Sequence, residues 1–222
     1  MRIEKSGFQH ISFLTSRFPK VDYLRLGECQ QHFVQKWLDF KSNKCHSPPQ
    51  PTILTAQVCP VYTLGRRDTK TNFHNSIDGV KVIKALRGGQ TTYHGPGQLL
   101  VYPILDLSAF HLSPRKYVSK LEEAIIQTCR HFGMTTAHTN EHTGVWLTDD
   151  EKIAAIGIHL RRYITSHGLA LNVSTDLEKF KKIVACGLQD KTTTSFQAQG
   201  VNVELKTVEQ VLVQHLIDAL LK

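Results

Sequence analysis

Arg87-Gly88-Gly89-Gln90-Thr91-Thr92-Tyr93-His94-Gly95-Pro96-Gly97-Gln98 runs directly into the apolar segment Leu99-Leu100-Val101-Tyr102-Pro103-Ile104-Leu105. Glycine is used where a backbone takes positive φ or passes close to another group. Paired glycines behind an arginine and ahead of a histidine predict a backbone cradle with polar side chains aimed into it, mounted on a buried strand. The same residues would also suit a tight hairpin whose glycines serve only the turn. The density of Arg, Thr, Tyr, His and Gln favours a pocket. It names no reaction.

Strand patterns lead into this stretch: Phe8 to Leu14, Ile53-Leu54, Val61-Tyr62-Thr63-Leu64 and Gly79 to Leu86. Asp22 opens a helical pattern carried by Leu26, Phe33 and Trp37 to about Phe40, and the proline-rich run from Lys41 to Pro51 reads as a loop. Downstream, Ser113-Pro114 combines a capping side chain with proline at the first helical position, and Gly133 ends that helix. Strands follow at Gly144 to Leu147, Lys152 to Ile158 and His167 to Val173, then a short helix over Asp176 to Lys182. Thr207-Val208-Glu209-Gln210 reads as a capping box for a last amphipathic helix ending at Leu221. Without a repeat, a low-complexity tract or a linker, one α+β domain over residues 1–222 is the economical assignment: a mixed β-sheet with helices set singly between its strands.

The chain has 222 residues, 41% hydrophobic and 21% charged, as an ordinary globular protein would be. No run approaches the roughly 18 apolar residues of a membrane span, so no membrane partner is expected. The net charge of +8 favours an acidic partner. Arg161-Arg162, Lys179 and Lys181-Lys182 lack the aromatic interleaving of a nucleic-acid surface, so none is expected. The five cysteines (Cys29, Cys45, Cys59, Cys129, Cys186) are odd in number and form no C-x-x-C, which argues against a disulfide framework and a zinc site and for a reducing compartment. Met1 to Lys20 carries Arg2, Lys5, Arg17 and Lys20 against Glu4, a faint transit-peptide composition competing with the strand at Phe8 to Leu14.

Two residues suggest chemistry. Cys186, between Ala185 and Gly187, leaves room for a substrate, and neighbouring amides would suit an oxyanion. It equally suits a buried turn cysteine. A free thiol is only a few per cent thiolate at neutral pH, so a nucleophile needs a nearby cation or base. Lys152 heads an apolar strand, where partial desolvation would make it usable as a base; a snorkelling surface lysine fits the same position. His94, His142, His159 and His167 show no recognised metal-ligand spacing, so no metal is expected, while Cys–His catalysis stays open.

Four motifs in order change the balance. The Arg87-to-Gln98 stretch ending at Tyr102, Pro60-Val61-Tyr62-Thr63-Leu64-Gly65-Arg66, Lys152-Ile153-Ala154-Ala155-Ile156-Gly157, and His167-Gly168-Leu169-Ala170-Leu171-Asn172 followed by Cys186-Gly187 closely resemble the lipoyl(octanoyl) transferases over nearly the whole chain. Ala185 stands where that family commonly has proline, and Thr193-Thr194-Ser195 keeps only the Thr-Ser of its usual Val-Thr-Ser. The run Ile164 to Gly168, with Ser174 to Leu177, is more similar to eukaryotic members, which implies mitochondria; a bacterial source would imply the cytoplasm.

The resemblance implies a biotin/lipoate protein ligase-like fold, Cys186 as nucleophile and Lys152 as acid–base partner. It implies an acyl groove lined by Arg87, Gly88, Gly89, Gln90, Thr91, Thr92, Tyr93, His94, Ala155, Ile156, Gly157, Gly168, Leu169 and Ala170, with His94 orienting or polarising. The donor would be octanoyl-acyl carrier protein, whose phosphopantetheine belongs to the substrate, so no resident cofactor is expected. The acceptors would be lipoyl-domain proteins: glycine cleavage H protein and 2-oxoacid dehydrogenase E2 subunits. Competing expectations are an ATP-dependent lipoate or biotin ligase on the same fold, a non-catalytic carrier-binding scaffold, and a cysteine hydrolase.

Overall fold

The computed structural model of the protein describes residues 4–14, 20–68, 75–184, 187 and 190–222. Asp22 caps the first helix as its sequence predicts: its carboxylate accepts from Leu24 N at 2.9 Å and Arg25 N at 3.2 Å, and α1 runs Tyr23–Lys41. Ser113 does the same for α2 (Pro114–His131), accepting from Lys116 N at 3.3 Å. The strands in chain order are β1 (Gln9–Ser12), β2 (Thr52–Ala56), β3 (Val61–Leu64), β4 (Ser76–Ile77), β5 (Val80–Lys84), β6 (Thr92–His94), β7 (Gln98–Ile104), β8 (Val145–Trp146), β9 (Glu151–Arg161), β10 (Ile164–Asn172) and β11 (Thr192–Thr193). α3 (Leu205–Leu221) closes the chain.

Among the described residues these strands form two sheets rather than one. The larger has the order β1-β2-β7-β10-β9-β11, with β8 on β9; the smaller has the order β4-β5-β3-β6. Both mix parallel and antiparallel pairs: in the larger, β1–β2 and β9–β11 are parallel and β2–β7, β7–β10 and β9–β10 antiparallel; in the smaller, β3–β5 is parallel and β3–β6 antiparallel. Helices α2 and α3 cover one face of the large sheet, packing Leu121, Ile125, Leu212 and Leu216 on Leu99, Val101, Leu169 and Leu171. On the other face α1 sets Leu26, Val34 and Trp37 against Leu54, Leu100, Tyr102 and Ala170. Because both faces are covered, every residue of β7 and β10 is buried, and the sequence of β7 reads as a near-continuous apolar run instead of an alternation.

Some boundaries differ from the sequence expectation. Gly79, expected to begin a strand, is the second turn residue between β4 and β5, at φ +74°. Thr207 is not a cap: α3 begins two residues earlier, and the Glu204 carbonyl already accepts from Thr207 N at 3.0 Å and Val208 N at 3.2 Å. The chain from Lys152 to Val173 is one long hairpin, turned at Arg162 (φ +53°) and Tyr163 (φ +67°), where both central residues need the left-handed region.

Pro103 is the next-to-last residue of β7, a strand paired on both sides, where proline is unusual because it has no N–H for the ladder. The β7–β10 register pairs Val101 with Leu169, and two further residues set His167 across from Pro103. His167 takes φ +56° and turns its N–H out of the ladder to Gln30 Oε1 on α1, 2.5 Å away. Thr165 Oγ1 donates to the Pro103 carbonyl at 2.8 Å. The proline thus detaches one residue of β10, whose imidazole swings onto Tyr102 with ring centroids 5.5 Å apart.

Gln30 and His167 are both buried, at 6% and 7% exposure. Gln30→Ala leaves the His167 N–H without an acceptor and should cost about 2 kcal/mol in chemical denaturation, while Gln30→Glu, which keeps an acceptor oxygen, should recover part of it. Equal stability of Gln30→Ala and the unmodified protein would show that the turned peptide has another way to be satisfied.

Candidate active site

A cavity of about 380 Å³ opens on the α1 side of the large sheet. Part of its wall is built from small residues paired across two strands, Ala155 with Ala170 and Gly157 with Gly168. The glycine-rich loop lies across this wall. Gly88 N donates to Ile158 O at 2.9 Å, and Arg66 N and Arg67 N donate to Arg87 O and Gly89 O at 3.0 and 3.1 Å. These close approaches require glycine: a Cβ on Gly157 would meet Arg87 Cδ at 3.0 Å and Gly88 O at 3.1 Å, and one on Gly65 would run into the Gly89 carbonyl.

Arg87 is an internal brace. Nη1 donates to Gly88 O at 3.0 Å and Gln90 O at 2.9 Å; Nη2 donates to Thr63 O at 2.8 Å and Thr63 Oγ1 at 2.6 Å. One buried guanidinium therefore fixes the loop's carbonyls and ties them to β3. Thr91 completes the anchorage, its N–H and hydroxyl both donating to the Asp68 carboxylate.

His94 is fully enclosed and its tautomer is set by its neighbours. Gln98 Nε2 donates to Tyr93 O at 3.3 Å and to Asn172 Oδ1 at 2.9 Å, so Gln98 Oε1 faces His94 Nδ1 at 2.7 Å and accepts its proton. Asn172 Nδ2 in turn donates to Thr194 O at 3.1 Å. His94 Nε2 is left as a buried lone pair with no protein donor. Burial, then the Arg87 charge, push this imidazole down to about 3. His167, on the cavity wall with its Nδ1 also unpartnered, is pushed down to about 4 by burial and Arg87. Both rings are neutral at physiological pH.

Lys152 begins β9's apolar run and is 9% exposed, so its ammonium does not snorkel into water. Nζ donates to Thr143 O at 3.0 Å and sits 4.7 Å from the Trp146 ring centroid. Trp146 is held in turn by its Nε1–H on His142 O at 3.0 Å. Gly144, at φ +128°, leaves space for this lysine: a Cβ there would meet Lys152 Cε at 3.2 Å and Nζ at 3.4 Å. β11 runs parallel to β9 and pairs Thr193 with Lys152, and Thr194 N donates to Lys152 O at 2.9 Å.

Cys186 and Ala185 lie outside the described residues. Gly187 is described and lines the same cavity as Lys152. It takes φ +75°, its N–H donates to Val184 O at 3.1 Å, and the Gln90 carboxamide fills the place a Cβ would need. Of the amides next to Cys186 that were expected to suit an oxyanion, that of Gly187 is therefore engaged.

Of the residues expected around an acyl chain, Arg87, Gly89, Gln90, Thr92, His94, Ala155, Ile156, Gly157, Gly168, Leu169 and Ala170 line the cavity together. Thr91 and Gly88 serve the loop's anchorage. Tyr93 turns away, into a cluster with Tyr62 and Phe180, because β6 alternates its side chains between cavity and small-sheet core. Sequence reasoning gave no role to Gln98, Asn172, Thr143, Gly144 or Glu122; the first two stood inside quoted motifs, and the others carried no local signal. The arrangement offers two buried cations, Arg87 with both Nη atoms engaged and Lys152, beside a neutral polar recess and a wall of small apolar residues. It suits an acyl chain and a thiol more readily than a polyanion.

Residues 34–217 match the lipoyl protein ligase A/B catalytic domain. A probable octanoyltransferase of Schizosaccharomyces pombe is 64% identical over 208 residues, covering 94% of this chain and 95% of that protein. A mitochondrial octanoyl-acyl-carrier-protein:protein N-octanoyltransferase of Danio rerio is 42% identical over 184 residues, covering 81% and 79%. Among solved structures, lipoate-protein ligase A bound with ATP has a TM-score of 0.67 over 96% of this chain and 84% of that one, at 14% identity, a likeness of fold.

Because His94 and His167 bind protons less readily than the roughly 6.5 of an unfolded histidine, the unfolded chain takes up more protons as pH falls. Their contribution is present above that value and lost on acidification. Unfolding free energy should drop by roughly 2–3 kcal/mol per unit between pH 6 and 5, and His167→Asn should halve that slope. A profile flat from pH 7 to 5 would mean the rings can be protonated in place.

Proposed function

This chain belongs to the octanoyltransferases of the lipoyl protein ligase A/B catalytic-domain family, and we propose that it carries the octanoyl group from acyl carrier protein to a lipoyl-domain lysine through a thioester on Cys186. Octanoyl transfer in protein lipoylation is the activity of the family; the donor, the acceptor lysine and the covalent intermediate are the proposal.

The observation that carries it is the buried Lys152 ammonium in the cavity lined by Gly187, the residue after Cys186. A cation near a thiol favours the thiolate, which is the nucleophilic form. In the first half-reaction Cys186 attacks the thioester carbonyl, and its proton passes by way of Lys152 to the departing phosphopantetheine sulfur. In the second, Lys152 takes a proton from the acceptor lysine's amine as that nitrogen attacks the acyl-enzyme. The C–S bond breaks, the amide forms, and the thiol is restored. The octanoyl chain lies along Ala155 and Ala170, whose small side chains line the cavity.

Arg87 supports a donor that arrives already activated. Both of its Nη atoms are spent on loop carbonyls and Thr63, so it does not present the open fork that suits a phosphate. The ATP-bound ligase shares this fold at an identity too low to carry its chemistry over. The net charge of +8 suits an acidic carrier protein. Glycine cleavage H protein and 2-oxoacid dehydrogenase E2 subunits are the acceptors we assign, in mitochondria, following the mitochondrial Danio rerio relative.

Intact-protein mass after mixing with octanoyl-acyl carrier protein, without ATP, tests the route. The unmodified protein should gain one octanoyl group and lose it to a lipoyl domain, and Cys186→Ser should gain none. An adduct absent from the unmodified protein, together with acceptor modification from free octanoate and ATP, would replace the transferase with a ligase.

A further inference from the structure

Behind Lys152, on the side away from the glycine-rich loop, α2 contributes one carboxylate. Gly144 N donates to Glu122 Oε1 at 3.1 Å. The residue before Gly144 is Thr143, whose carbonyl accepts from Lys152 Nζ at 3.0 Å. The glycine cannot be replaced without strain: its Cβ position lies 2.6 Å from the Ala154 carbonyl and 3.2 Å from Lys152 Cε. Glu122 and Lys152 thus grip the two ends of a single peptide group, its N–H and its carbonyl.

We propose that Glu122 is a positioning residue for Lys152: its carboxylate fixes the 143–144 peptide group whose carbonyl holds the ammonium, and its negative charge favours that ammonium. The inference rests on the role given to Lys152 above. Burial raises the Glu122 carboxyl, and the Gly144 N–H and Lys152 pull against that rise, so carboxylate and ammonium feel one another across the loop.

The other charged or titratable groups around Lys152 sit elsewhere. Glu141 and His142 line the cavity from the loop, Arg67 and Arg87 from the glycine-rich side, His94 and His167 from β6 and β10, and Lys191 a small adjoining recess. On α2 itself Glu123 is paired with Lys120 and with Lys222 at the end of α3. Among these, Glu122 is the carboxylate tied by a hydrogen bond to the segment that carries the lysine's acceptor.

Glu122→Gln keeps an acceptor for Gly144 N and removes the charge; Glu122→Ala removes both. Rates of octanoyl transfer, from octanoyl-acyl carrier protein to a lipoyl domain, measured across pH separate the two functions. In Glu122→Gln the basic limb of kcat, set by loss of the Lys152 proton, should move to lower pH by roughly 0.5–1 unit. KM should hold, and thermal stability should stay level or rise, because a partly buried charge has gone. In Glu122→Ala kcat should fall at least about tenfold with KM little changed. Lys152→Ala is measured alongside. If Lys152→Ala is inactive while the Glu122→Gln profile overlays that of the unmodified protein, the positioning role is wrong and the role of Lys152 stands. If Lys152→Ala turns over normally, both fall.

Discussion

A lysine residue only 9% exposed governs how this part of the structure is built. Removing an ion from water costs several kcal/mol unless neighbouring groups replace its hydration. The replacements come from separate parts of the chain: a carbonyl at Thr143, the face of Trp146, and the charge of Glu122 from α2. Each imposes a further requirement. Trp146 must be oriented, and its Nε1–H on the His142 carbonyl does this. The Thr143 carbonyl must point inward, and only glycine tolerates both the φ of +128° at the next residue and the volume of the lysine beside it. A residue that looks like an ordinary strand-end cation is thereby what fixes the conformation of the 141–146 segment.

The cavity's other polar groups follow the opposite rule and remain uncharged. Burial beside Arg87 excludes protons from His94 and His167. The Gln98–Asn172 relay goes further, since it fixes which nitrogen of His94 carries hydrogen. A ring in that state carries no net charge and offers Nε2 only as an acceptor. The Lys152 ammonium therefore shares its cavity with imidazoles that do not compete for its proton or alter its charge over the physiological range.

Much of this was legible in the sequence and some could not have been. Helix starts at Asp22 and Ser113 were visible because a capping oxygen and the first turn are adjacent in the chain. The mixed sheet and the glycine-rich cradle followed from patterns of the same short range. The extra sheet was not legible, because β3, β5 and β6 carry no mark distinguishing their partners from those of β2 and β7. The mistaken cap at Thr207 shows the limit of local chemistry: two residues upstream, Glu204 carbonyl contacts had already started the helix. Thr91 and Tyr93 were assigned with their neighbours to the acyl groove as one stretch, whereas a strand sends alternate side chains to opposite faces. Pro103 was read as part of an apolar strand, and its consequence at His167 depends on a register that only the assembled sheet defines.

That register also explains how distant residues come to share one cavity. β9 and β10 form a long antiparallel hairpin, so the chain leaves β10 at Asn172, near the end of β9 that carries Lys152. It passes through the 3-10 turn at Leu177–Lys182 and returns in β11, parallel to β9, with Thr193 beside Lys152. Gly187 falls on this return. A slip of one residue in β11 would reverse which face its side chains meet, and Thr194 N on the Lys152 carbonyl opposes such a slip. The polar Thr-rich segment after Gly187 therefore works as a register lock. Pairing with the strand that carries the cation gives Thr193 and Thr194 a mechanical reason independent of any contact with substrate.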